Sequence, residues 1–446
     1  MVGRKTEVIT RFPPSPTGLL HVGNYRTALF NYLFARQNDG KMFLRIEDTD
    51  RERSTKEFED NIHESLAWLG IPFEKSFRQS ERVDIHRNYL KKLIDSGKAY
   101  ISKEEKDGKV SELVRFKNPN IRIVFDDLIR GKVAIDTTDL KDFIIAKNIN
   151  EPLYHLAVVV DDFEMKVTHV IRGEDHISNT PRQILIGDAL GAPRPFYAHL
   201  PLVLAPDRSK LSKRAGAKAV TEYRDMGFLP EAIINYMALL GWNPGTEQEI
   251  FGIDQLVKNF QIEKIHKSGA IFDETKLRWM NREYLRRLPQ DVLVDKIMER
   301  FIGVGDVIVP QNLRIVLVKM LPLLLDRIET FGDVTALIKN GELDYFFARP
   351  EVVPKLLVWK DDTVANVQKH LKKIISLISN ISAESFTGDQ VKEVVWPYAT
   401  EMGKGNVLWP MRVALSGRDK SPDPFEISGV LGKQETIARL EKAAHL

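Results

Sequence analysis

The chain has 446 residues, too many for one hydrophobic core, and roughly 100–200 residues per domain predicts three or four units. With 43% hydrophobic and 28% charged residues, no apolar run of membrane-span length and no signal-like core in MVGRKTEVIT, a soluble cytoplasmic protein is expected. Zero cysteines exclude disulfides, a thiol nucleophile and a thiolate metal site, while a formal charge of +3 permits a nucleic-acid partner without arguing for one.

The first strand is expected over residues 7–12 (EVITRF), ended by the breaker run Pro13-Pro14-Ser15-Pro16-Thr17-Gly18. Helical spacing follows over 24–35, Gly40 punctuates it, and 41–46 (KMFLRI) reads as a second strand. Strand, helix and strand at this spacing form a βαβ unit, so a parallel, doubly wound (Rossmann-type) sheet is predicted. Amphipathic helices are expected over 56–69 and 82–96. Residues 101–152 change character, with short β-like runs (RIVFDDLI, KVAIDTT), and read as an α+β insertion. Strands at 156–160 and 167–171, a helix over 181–190 and a strand at 200–204 complete the sheet in this reading.

Past Gly216 strands largely vanish. Segments 230–240, 277–288, 312–325, 364–378 and 435–444 carry helical periodicity. The expected organisation is a catalytic fold over 1–100 and 153–215, interrupted by the insertion, then helical units over 216–305 and 306–446.

Two motifs carry chemistry. In PSPTGLLHVGN (14–24) a proline turn leaves a strand and a glycine opens a helix, which exposes backbone N–H groups to an anion. Gly23 admits close approach, and His21 can donate to a phosphate oxygen. In KLSKR (210–214), Lys210 and Lys213 follow a strand at the sheet's carboxyl edge, where mobile cations suit phosphate charge.

PSPTGLLHVGN resembles the HIGH signature of class I aminoacyl-tRNA synthetases, and KLSKR resembles their KMSKS loop. Val22 and Asn24 replace isoleucine and histidine, and Leu211 and Arg214 replace methionine and serine. RIEDTDRER (45–53), VVVDDFEMKVTHVIRGEDHISNTPRQ (158–183) and KLRWMNREYL (276–285) are similar to bacterial-type glutamyl-tRNA synthetases. Matches run from near residue 7 to the C-terminus and are thinnest over 100–120.

The resemblance implies ATP-dependent ligation of L-glutamate to tRNA(Glu) through a glutamyl-adenylate, with Mg²⁺ on the phosphates. Thr17, Gly18, His21, Gly23, Asn24, Asp175, Lys210, Leu211, Ser212, Lys213 and Arg214 would hold ATP, with His21, Lys210 and Lys213 catalytic. Arg11, Ser15, Glu47, Tyr154, Val158 and Arg172 would line the glutamate site, where guanidinium groups suit two carboxylates and an acid suits the ammonium. Some family members carry asparagine where this chain has Val158. Asp50, Arg53, Arg327 and Arg412 are the implied tRNA contacts, the last two at the anticodon. Many relatives hold zinc through cysteines in the insertion; lacking cysteine, this chain is expected to hold none. A monomer is expected.

Alternatives are a non-discriminating enzyme that also charges tRNA(Gln), a glutaminyl-tRNA synthetase, a glutamyl-queuosine-type ligase and an inactive RNA-binding paralogue. Arg172 opposes the glutaminyl reading, chain length opposes the queuosine-type ligase, and His21, Lys213, Arg11, Glu47 and Arg172 together oppose the paralogue.

Overall fold

The computed structural model describes residues 7–106, 109–211, 216–304 and 310–446. Strand β1 (Ile9–Phe12) is buried at all four positions, and helix α1 (Val22–Gln37) returns to β2 (Lys41–Ile46), which pairs parallel with β1. Gly40 makes this return possible: a Cβ there would stand 2.2 Å from the Val8 carbonyl oxygen, inside any allowed contact. Helix α2 (Lys56–Trp68) starts on Thr55, whose hydroxyl accepts from the Phe58 N–H, a cap worth about 1 kcal/mol. Strand β3 (Lys75–Arg78) adds parallel to β2, and α3 (Val83–Asp95) follows.

Residues 99–152 contain two structures. Strands β4 (Ala99–Lys106), β5 (Lys109–Phe116), β8 (Phe143–Asn148) and β9 (Glu151–Pro152) form an antiparallel sheet of their own. The hairpin of β6 (Arg122–Asp127) and β7 (Gly131–Asp136) instead joins the second parallel sheet, in the order β10-β11-β6-β7. There β10 (His169–Gly173) and β11 (Phe196–Leu200) run parallel, and Asp127 pairs with Tyr197. The Thr168 N–H donates to the Ile9 carbonyl (2.9 Å), which sets β10 beside β1.

Two strand expectations fail. Residues 156–160 lie inside helix α4 (Tyr154–Glu164), not in a strand. A short run of buried β-branched residues fits either state, and the acids that follow decide it. Neighbouring helical positions diverge by about 100°, so Asp161 and Asp162 face different partners. Asp161 takes Gln79, Arg82 and His86 beside α3, while Asp162 takes Arg11 and Arg45 from β1 and β2. The strand placed at 200–204 is really β11, four residues earlier, followed by the two-residue β12 (Val203–Leu204). Pro201 lacks the N–H needed to continue the ladder. The helix expected over 181–190 is α5 (Thr180–Leu190).

After Gly216 the first unit continues with α6 (Val220–Asp225), α7 (Pro230–Leu239), α8 (Ile253–Asn259) and the start of α9 (Glu274–Leu285), plus one short strand, β13 (Ala270–Ile271). This unit comprises residues 1–225 and 229–280; the second comprises 226–228 and 281–446. The second is helical throughout its described residues, from α10 (Gln290–Gly303), α11 (Leu313–Arg327) and α12 (Phe331–Lys339) to α13 (Val364–Ile378), α14 (Gly388–Met402), α15 (Lys404–Ser416), α16 (Pro424–Leu431) and α17 (Lys433–Ala444). Helix α13 buries Val367, Leu371, Ile374 and Ile378, an i, i+4, i+7, i+11 stripe. The fold is thus an α/β catalytic part with mixed sheets followed by a helical half. No described helix is long and apolar enough to cross a membrane.

Candidate active site

The carboxyl ends of β1, β2 and β10 open on one cavity of about 310 Å³, where a doubly wound sheet places its ligands. It gathers Arg11, Ser15, Thr17, His21, Gly23, Asn24, Glu47, Tyr154, Val158, Arg172, Asp175, Lys210 and Leu211. Gly18 belongs to the same loop but is not in the wall. Ser212, Lys213 and Arg214 lie outside the described residues. A larger cavity, about 500 Å³, opens around the amino ends of these strands at Ile9, His169 and Phe196; it is mostly apolar and contains neither signature loop.

The loop after β1 is held by the Glu47 N–H, which donates to the Pro14 carbonyl (2.9 Å). His21 is extended (φ −95°, ψ 159°) and caps α1, its Nδ1 accepting from the Asn24 N–H at 3.4 Å. A Cβ on residue 23 would lie 3.1 Å from the His21 ring, so glycine lets the imidazole fold over the first turn. The amino end of α1 therefore faces the cavity with its N–H groups and positive dipole end, beside a histidine. Lys210 reaches back to Asp175 (2.6 Å), a half-exposed pair at the cavity. Asp175 is held below the ordinary carboxylate range: burial pushes it up, but Lys210 outweighs this.

The inner wall is ionic. Arg11, 1% exposed, directs Nε at both Asp162 oxygens (3.2 and 3.3 Å). Arg45, fully buried, donates from Nη1 to Asp162 (2.5 Å) and from Nη2 to Glu47 Oε1 (2.9 Å). Burial pushes Asp162 up, yet the two guanidiniums hold it below the usual range. Glu47 moves the other way, raised by burial against the pull of Arg45. Its Oε1 is committed to Arg45, and Oε2 makes no hydrogen bond among the described residues.

Arg172 differs. It is 5% exposed, and its Nε, Nη1 and Nη2 donate to His199 Nε2 (3.3 Å), Gln183 Oε1 (2.8 Å) and Thr180 Oγ1 (2.8 Å). All three acceptors are uncharged groups. Tyr154 stands nearby, its hydroxyl 3.1 Å from His176 Nδ1; burial pushes the phenol up and holds His176 down to about 4, so that ring is neutral near pH 7. A buried guanidinium whose hydrogen-bond acceptors are neutral is costly unless an anion completes it.

Sequence reading missed Arg45 and Asp162, although both stand in quoted segments, RIEDTDRER and VVVDDFEMK. It also missed Arg26 on α1, which is buried and donates to the Leu240 (3.1 Å) and Pro201 carbonyls; burial holds it down to about 10. Residues of these types with apolar neighbours were the available signal, since a buried charge needs a partner.

The other candidates lie elsewhere. Asp50 and Arg53 form an exposed pair (Nε to Oδ2, 2.7 Å) in the turn after β2. Arg327 is paired with Glu342 (2.5 Å) in a 460 Å³ cavity of the second unit. Arg412 is half-buried on α15, its Nε without a hydrogen-bond partner.

Comparison with known proteins identifies the family. The family model described as "tRNA synthetases class I (E and Q), catalytic domain" matches residues 7–112 and 102–279, and "Anticodon binding domain" matches 280–444. The glutamate–tRNA ligase of Aquifex aeolicus is 40% identical, covering 98% of each chain. That of a Sulfurihydrogenibium species is also 40% identical, over 97% of this chain and 98% of the relative. The crystal structure of a glutamate tRNA ligase from Elizabethkingia meningosepticum, in complex with its amino acid, aligns with a TM-score of 0.86 at 31% identity, covering 98% of this chain and 99% of that one. From near its first strand to its last helix, this chain belongs to the class I tRNA synthetases of the glutamate and glutamine type.

Proposed function

We propose that this chain is a glutamate–tRNA ligase acting through an adenylate. The observation that carries the reading is Arg172, buried and bonded only to neutral acceptors, in one cavity with Arg11, Glu47 and the His21 helix start. A substrate with two carboxylates and an ammonium supplies the groups this wall lacks: one carboxylate for Arg172, one near Arg11, and an ammonium for Glu47 Oε2, with Ser15, Tyr154 and Val158 around them. The three neutral acceptors on Arg172 favour glutamate over glutamine, whose amide leaves the guanidinium uncompensated.

In the first step the α-carboxylate oxygen attacks the α-phosphorus of ATP, the bond to the β-phosphate oxygen breaks, and pyrophosphate leaves. Such a transfer asks for positioning and charge stabilisation rather than covalent help. His21, the backbone around Gly18 and Gly23, Asn24 and Thr17 suit the phosphates. Lys210 and Lys213 suit the charge that develops on them, with Leu211, Ser212 and Arg214 in the same loop and Asp175 toward the ribose. Mg²⁺ would travel on the phosphate oxygens. In the second step a hydroxyl of the terminal adenosine of tRNA(Glu) attacks the activated carbonyl, and AMP leaves with the carboxyl oxygen.

The antiparallel sheet of residues 99–152, with Asp50 and Arg53, suits the acceptor end, while Arg327 and Arg412 suit unstacked anticodon bases. We read the protein as a cytoplasmic monomer with the five-part organisation described from the sequence. The test is ATP–pyrophosphate exchange with glutamate and with glutamine, each with and without tRNA. Glutamate-dependent exchange is expected; none with either amino acid, tRNA included, refutes the reading. Charging of purified tRNA(Glu) and tRNA(Gln) then identifies the acceptor.

A further inference from the structure

The groups that hold Arg172 form a layered set. His199, fully buried on β11, carries Asp127 on its other side: Nδ1 to Oδ2 is 2.6 Å. Asp127 ends β6, and its carboxylate also accepts the Ile129 (3.0 Å) and Arg130 (2.9 Å) N–H groups. Burial pushes this carboxyl up, but the His199 hydrogen bond, with the two backbone N–H groups, holds it below the usual range. A carboxylate can only accept, so the proton sits on His199 Nδ1. Burial holds His199 down as well, which leaves Nε2 as a lone-pair acceptor toward Arg172 Nε and the Thr180 hydroxyl (3.0 Å). The Asp162 carboxylate is already bonded to Arg11 and Arg45.

We propose that this neutral cradle of His199, Gln183 and Thr180 is a specificity determinant, orienting Arg172 without compensating its charge so that a substrate carboxylate is selected over an amide. Asp127, supplied by the inserted hairpin, is the residue that keeps His199 in the accepting tautomer. The inference rests on the proposed role of Arg172 as receptor for the glutamate side chain. None of the three cradle residues need touch the reacting atoms; they are positioning residues.

The test is glutamate-dependent exchange by the full chain carrying Gln183→Glu. This isosteric change puts an anion on Nη1 and forms an ion pair, so a merely structural Gln183 predicts unchanged stability and unchanged discrimination. The cradle predicts a glutamate KM raised about tenfold or more, since a charged hydrogen bond now competes for the guanidinium. It also predicts a narrowed glutamate-to-glutamine ratio and an unchanged KM for ATP. Asp127→Asn, which frees the tautomer, should raise the glutamate KM alone. Gln183→Met, which removes the acceptor at similar volume, should raise it without improving glutamine use. A wild-type KM and ratio in Gln183→Glu overturns the cradle. Arg172→Ala separates the two readings: if it abolishes glutamate use while Gln183→Glu is silent, only the cradle falls. If Arg172→Ala itself leaves glutamate use intact, the pocket reading falls.

Discussion

Arg11 on β1 and Arg172 on β10 are both buried at the carboxyl edge of the same part of the fold, yet their surroundings are opposite. Arg11 comes with its anion built in, Asp162, which also neutralises Arg45. Arg172 donates, among the described residues, to a neutral imidazole, an amide and a hydroxyl. Removing one partner of a buried pair leaves an unpaired charge and costs about 3–5 kcal/mol, whereas a buried cation with no anion already carries that cost in the free protein. Both arginines stand in one cavity wall, but Arg11 brings an internal anion and the hydrogen-bond acceptors of Arg172 are neutral. The contrast separates stability from recognition, and the two can be broken independently.

The largest effect on activity is expected from Arg172→Ala, a loss of roughly 10²–10³-fold in kcat/KM for glutamate, from a buried charge pair worth a few kcal/mol. Its thermal midpoint should be unchanged or higher, because no internal ion pair is lost. Asp162→Asn should reverse that signature. It leaves Arg11 without its anion and Arg45 with Glu47 alone, so unfolding in urea should show a loss of about 3 kcal/mol, with activity falling as a consequence. If instead it lowers glutamate use at wild-type stability, Asp162 is not architectural.

Acid titration sharpens the comparison further. Burial holds His176 and His155 to about 4 in the fold, and the Arg172 charge adds to this for both. Their folded values lie below the unfolded value near 6.5, so the unfolded chain takes up protons first as pH falls. Their contribution is fully present above about 6.5 and is lost progressively toward 4. Between pH 6.5 and 5 the loss should be roughly 1 kcal/mol per histidine after allowance for partial exposure, and His176→Asn should flatten the curve. An equally steep curve in that variant would mean the acid sensitivity lies elsewhere. The smallest effect is expected at the exposed Asp50–Arg53 pair. There Arg53→Ala should leave the thermal midpoint within measurement error and raise the KM for tRNA a few-fold.

The loop after β1 was legible because its residue types are punctuation. Proline and glycine after EVITRF announce a strand end. The helical second half was legible too, since the α13 stripe is written in its 3.6-residue period. By contrast, residues 156–160 read as a strand, and Asp162 just after them and Arg45 at the head of RIEDTD were passed over.

Those failures share a cause. Local pattern fixes which residues prefer to be buried, and the sequence by itself settled the βαβ start, the helical tail and the identity of the charged groups available. It could not say that Asp162 sits between Arg11 and Arg45, about 120–150 positions away along the chain, or that the hydrogen-bond acceptors of Arg172 among the described residues are neutral. Whether a buried charge is compensated depends on what long-range packing brings within about 4 Å. Tertiary structure alone gave one arginine an acid to bond and the other a set of neutral acceptors.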